Sequence, residues 1–143
     1  MAFVQASALP ESKVRQIYGI YNVVPQEVAI VVKADLLLMG SIAGALVGLP
    51  DAAVKEHLKV YPIEELMRDA ILEVLNIAAA SVTTEGRAVF TRMVTDPAYI
   101  DGPAEKAFKQ PFRRNYFNVT IDGYQGGKFA ILSDFIPTRI EAR

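Results

Sequence analysis

The 143-residue chain has no cysteine and no tryptophan, and it carries a single histidine, His57. The missing thiols exclude a disulfide scaffold, a cysteine nucleophile and a cysteine-ligated zinc. A lone imidazole excludes a multi-histidine metal site, and no motif supports a Ser-His-Asp triad resting on it. His57 stands among Lys55, Glu56 and Lys59, a polar run that reads as plain surface. Neither sign of charge dominates: 15 Lys+Arg face 16 Asp+Glu, so no overall field favours nucleic acid or anionic lipid. Residues 36–50 carry no charge, but this stretch is shorter than the about 20 residues of a bilayer crossing, and Asp35 and Asp51 bracket it. No membrane insertion is expected. The opening MAFVQASALPESK lacks the basic start and continuous apolar run of a secretory signal, which makes the cytoplasm the expected address. No linker or low-complexity segment interrupts the chain, so a single domain over residues 1–143 is expected.

The patterning that is present divides into strands and helices. VRQIYGIYNVV (14–24) is rich in Val, Ile and Tyr and suits a strand. Pro25-Gln26 signals a turn, and VAIVVK (28–33) reads as the hairpin partner. A buried helix follows from residue 36 and ends at Gly48, with Pro50 preventing its continuation. Gly40, Gly44 and Gly48 recur at intervals of four and form a flat ridge that a neighbouring element can approach closely. A second helix is expected from Pro62 to about Ala80. Pro62 is preorganised for a first turn, and Glu64 and Glu65 favour its positive end. Leu66, Met67, Ala70, Ile71, Val74, Leu75, Ile77 and Ala78 cover well over half of its circumference. AVFTRMVT (88–95), NYFNVTI (115–121) and KFAILS (128–133) read as strands, with DGYQGG as the last hairpin loop and a proline-punctuated stretch over 96–111. Runs of strands around a helix pair predict an α+β fold: two long helices packed on one face of a mainly antiparallel sheet.

The second helix carries an anomaly. Asp69, Glu73 and Asn76 sit at about 0°, 40° and −20° around its axis, a single narrow ridge. Glu65 extends the ridge towards the N-terminus, Ala80 continues it beyond the amide, and no basic residue lies on it. Like charges four apart destabilise an isolated helix by a few tenths of a kcal/mol per pair, and Asn in a helix interior adds a mild cost. A solvated face accounts for such a stripe. A contact ridge for a partner, offering carboxylate acceptors and one bifunctional amide, accounts for it as well.

Asp69, three residues, Glu73, two residues, Asn76, and Pro97 about twenty residues on resemble the active-site signature of the CheC/CheX/FliY phosphatases of bacterial chemotaxis. That motif has Asp or Ser first, Glu and Asn at this spacing, and a proline downstream. IYGIYNVVPQEVAIVVKADLLLMGSIAGALVGLP resembles the family's strand-turn-strand-helix entry, and YFNVTIDGYQGGKFAIL resembles its closing hairpin. The likeness covers about residues 14 to 133, and with one motif copy it is nearest to CheX, a CheC-like fold. The chain departs from the family in two places. The N-terminal helix usual in CheX is missing or reduced to residues 1–13, and Ala80 stands where glycine is common.

The resemblance implies a substrate, the aspartyl phosphate of a CheY-like response regulator receiver, which hydrolyses unaided with the receiver's own Mg2+. No cofactor of the chain's own is implied. Asn76 is implied to orient the attacking water, and Glu73 to hold the receiver's active-site lysine. Glu65, Asp69 and Ala80 are implied at the edge of the contact, and Pro97 is implied to shape the loop beside it. A rival of a different class keeps the fold but only binds, as a non-catalytic CheC-like module for a receiver or flagellar switch component. Lys109, Arg113 and Arg114 with Phe112, Tyr116 and Phe117 form too small a patch to argue for nucleic acid. Phe117, Val119, Ile121, Phe129 and Ile131, alternating with little edge protection, suggest a homodimer joined through these strands, as in CheX-like proteins.

Overall fold

The computed structural model describes residues 2–6, 15–60, 62–83 and 86–134, with the backbone alone described for 2–6. The fold is α+β. Six strands, β1 (Ala2–Ala6), β2 (Gln16–Val24), β3 (Val28–Asp35), β4 (Arg87–Val94), β5 (Arg113–Ile121) and β6 (Tyr124–Ser133), form one sheet in the order β1-β5-β6-β3-β2-β4. Every neighbouring pair is antiparallel. Among the described residues four α-helices accompany it: α1 (Leu36–Val47), α2 (Asp51–Leu58), α3 (Glu65–Ala78) and α4 (Pro103–Lys109). Among the described residues no helix is long and apolar enough to cross a membrane.

Strand alternation divides the core between two faces of the sheet. Ile17 of β2 and Ala34 of β3 point to the side where α1, α2 and α3 pack, through Met39, Val54, Met67 and Ile71. Tyr18, Ile20, Val31 and Leu132 point to the opposite side and meet Ala104 and Ala107 of α4. Tyr18 also packs edge-on against Phe108, with ring centroids 5.4 Å apart. Helices therefore lie on both faces, where the sequence reading has two helices on one. The two additional helices are short and present two buried residues each: Val54 and Leu58 in α2, Ala104 and Ala107 in α4. Their start signals are nonetheless in the sequence, Asp51 after Pro50 and Pro103 after Gly102.

Other boundaries move by a few residues. The first helix ends as its punctuation indicates, at Gly48 in the left-handed conformation (φ 84°), whose N–H reaches the Gly44 carbonyl. The second begins at Glu65 after an N-cap at Glu64, three residues later than Pro62, and passes into a 3-10 turn over Ala79–Ser81. DGYQGG is mostly strand, because only Asp122 and Gly123 turn and β6 begins at Tyr124. Gly126 lies in β6 beside a register shift with φ 74°, and a Cβ there would collide with the Val119 carbonyl. Glycine at this site serves a bulge rather than a loop. At the N-terminus, Ala2–Ala6 is a strand on β5 rather than the remnant of a helix. Residue 1 and residues 7–13 of that expectation lie outside the described residues.

The glycine ridge of α1 is a packing surface. A Cβ on Gly40 would stand 2.5 Å from Cδ1 of Leu58, and one on Gly44 would collide with Cγ2 of Val54 and lie 3.2 Å from the Leu49 carbonyl oxygen. Gly44→Leu is therefore expected to cost roughly 1–3 kcal/mol or more. Gly44→Ala should also lower stability, because the branched Val54 cannot swing away cheaply and the helix gain is only about 1 kcal/mol. Thermal melts test this, and an unchanged melting temperature for Gly44→Leu would contradict the packing of α2 on α1.

Candidate functional site

Helix α3 is fixed by the face opposite its polar ridge. Met67, Ile71 and Leu75 are fully buried, and Ala70 and Val74 nearly so. Gly19 of β2 allows the helix to approach there, since a Cβ on it would stand 2.9 Å from Cδ2 of Leu75. The hydroxyl of Tyr21 donates to the Leu75 carbonyl at 2.6 Å, and burial pushes that hydroxyl far above its ordinary pKa. The helix is thus pinned to the sheet one residue before Asn76. His57 takes part in setting its other end: Nδ1 lies 2.6 Å from Oε1 of Glu64, so the imidazole joins α2 to the N-cap of α3 instead of standing alone in solvent.

On the opposite side Glu65, Asp69, Glu73, Asn76 and Ala80 are all exposed. None of the first four has a side-chain hydrogen-bond or ion-pair partner among the described residues, so no described contact explains the ridge. Glu65 lies in the first turn, where the helix dipole favours a carboxylate. Asp69, Glu73 and Asn76 lie beyond that turn and gain nothing from it. Held on a packed helix, the amide and the carboxylates are presented with little backbone freedom. An amide there can both donate to and accept from a bound water, and a neighbouring carboxylate can accept from a cation.

Pro97 lies outside α3, in the segment after β4. It is exposed and opens a 3-10 turn (Pro97–Tyr99) after β4. The Asp96 side chain accepts from the Ala98 N–H, the Ile100 N–H reaches the Pro97 carbonyl, and Arg92 donates to the Tyr99 carbonyl. These bonds tie the turn to itself and to β4, on the path towards α4, and none of them runs to α3.

Two readings of apolar residues need correction. Leu66 and Ile77, counted in the buried arc of α3, are 56% and 57% exposed. The arc is wider than the sheet can cover, and the excess borders the ridge. Secondly, β5 and β6 are interior strands, so their alternating apolar residues do not line an open edge; the edges are β1 and β4. The basic and aromatic residues around 109–117 are dispersed as well: Lys109 pairs with Glu105, Tyr116 packs on the α4 side, and Phe117 stacks on Phe129.

Among the described residues no group of three or more His, Asp or Glu is placed to hold a metal ion. No family model, curated protein or solved structure matches the chain.

Proposed function

We propose that the chain is a CheX-like phosphatase that accelerates loss of the aspartyl phosphate from a CheY-like receiver domain. The observation that carries this reading is the pair Glu73 and Asn76, exposed, without a side-chain partner among the described residues, and three residues apart on a helix locked into the core from behind. An acyl phosphate is already a labile mixed anhydride, and its receiver supplies the Mg2+ that neutralises the phosphoryl oxygens. What remains is to place a water in line with phosphorus. Asn76 performs that positioning: its carbonyl accepts from the water while its NH2 donates to a phosphoryl or water oxygen, with no titration near neutral pH. Glu73 accepts from the receiver's lysine and fixes the register of docking. Asp69 and Glu65 extend the acidic edge, and small Ala80 lets the partner's backbone close on the helix end. α1 and α3 pack on one face of the sheet, and a CheC-like architecture and a cytoplasmic address belong to the same proposal.

The test is phosphate release from acyl-phosphorylated receivers incubated with substoichiometric chain, for which turnover is expected. A stoichiometric complex without release would favour the binding module.

Self-association belongs to the same proposal, moved to the open edge of the sheet. Among the described residues β4 has no strand on its outer side and no proline, although Arg87, Arg92 and the bulge at Thr91 partly protect it. A homodimer joined edge to edge should sediment at twice the chain's mass. A 15.7 kDa species alone at tens of micromolar protein would contradict it.

A further inference from the structure

Beside the ridge, α1 and the C-terminal half of α3 leave part of the sheet uncovered among the described residues. The gap is an apolar groove of about 650 Å3, floored by Phe117, Phe129 and Ile131 and bounded by Leu46 of α1 and Ile77 of α3. The two phenylalanine rings stack at 4.8 Å and leave a flat floor. Tyr21 reaches the groove, but its hydroxyl already donates to the Leu75 carbonyl. Leu46 and Ile77 are 52% and 57% exposed, an unfavourable arrangement for a surface that stays in water. Ile77 is also the i+4 neighbour of Glu73, so the groove mouth and the proposed lysine contact are adjacent on one helix surface.

We propose that this groove is the second half of the docking face: it receives an apolar side chain of the receiver, next to the cation that Glu73 holds. The inference rests on the receiver reading of the ridge. Charge selects the occupant. An occupant seated against Ile77 has Glu73 one helical turn away, with Asp69 a further turn along the ridge, and neither carboxylate is ion-paired among the described residues, so a cation on that side of the occupant is favoured. A second copy placed across a two-fold on this face would bring those carboxylates towards their own images, and an anionic bilayer would be repelled by them. A receiver that brings a lysine with an apolar neighbour satisfies both halves.

The experiment uses the full chain, Nile red as a neutral apolar dye, and a receiver whose phosphate the chain releases. Dye emission should rise with the chain and fall when the beryllofluoride-activated receiver is added. Leu46→Asp should raise KM for the phosphorylated receiver about tenfold, with kcat within twofold, because the residue lies on α1, away from the ridge. Leu46 is half-exposed, so the variant should fold. Leu46→Ser serves as a second variant, and a matching melting temperature checks both.

An undisplaced dye together with an unchanged KM, while phosphate release continues, overturns the groove and leaves the phosphatase reading standing. Failure of phosphate release with every receiver brings down both. Dye lost on raising the protein concentration alone, with a doubled sedimentation mass, assigns the groove to a second copy and overturns the inference.

Discussion

Asn76→Ala is expected to abolish accelerated dephosphorylation while leaving the fold and receiver binding in place. The Asn76 side chain is exposed and has no hydrogen-bond partner among the described residues, so its removal opens no cavity and orphans no described partner. Alanine is the better helix former, and the variant should melt at or slightly above the wild-type temperature. The loss lies in water positioning. Orientation of a nucleophile can contribute several kcal/mol, and a fall of about 100-fold or more corresponds to roughly 3 kcal/mol. Binding to a beryllofluoride-activated receiver should change little, because Glu73 and the rest of the surface remain. A kcat effect with affinity retained is the signature of a group that acts only in the transition state. If the ridge is merely solvated, the substitution moves stability by tenths of a kcal/mol and nothing else.

Glu73→Ala should fail differently. It removes the proposed acceptor for the receiver's lysine, so KM should rise by about tenfold or more, with activity recovered in part at high receiver concentration. The salt response separates this from general damage. Wild-type affinity should weaken as ionic strength rises, whereas the variant, having lost a charge pair, should be less sensitive. Glu73→Gln keeps the shape and the acceptor oxygen but not the charge, and should fall between the two. A non-catalytic module would share the Glu73 result and show no Asn76 result. Binding isotherms at two salt concentrations, with phosphate release on the same samples, distinguish these cases.

How much of this was legible in the sequence depended on whether a feature is set locally. The end of α1 was, because Gly48 and Pro50 act within one turn. The ridge was too, since 100° spacing alone places Asp69, Glu73 and Asn76 together and their polar side chains keep them in water. Helices α2 and α4 were not. With two buried residues each, their periodicity does not stand out from a loop, and only tertiary contact with Gly40, Gly44 and the second sheet face gives them a place. The loop reading of DGYQGG failed for a related reason: glycine marks a bulge and a turn equally well until the partner strand is known.

The groove was beyond reach for a stronger reason. Ile77 and Leu46 carry the residue types of a core, and Ile77 falls in the same apolar arc as Ile71 and Leu75. Whether such a residue is buried depends on how far two helices extend across a six-stranded sheet, which no local pattern records. Strand order acts similarly. Alternation in β5 and β6 shows two-sided strands, but not that β1 and β3 flank them and leave β4 as an edge.

Catalytic turnover of an acyl phosphate by the proposed α3 ridge is tested most directly by a time course of phosphate release from acyl-phosphorylated receivers, with the wild-type chain and Asn76→Ala each present at a small fraction of the receiver concentration. Multiple turnovers by the wild-type chain are expected with at least one receiver, and a decay indistinguishable from the unassisted rate with Asn76→Ala. A wild-type chain that never exceeds the unassisted rate, or an Asn76→Ala variant that matches the wild type, would contradict it.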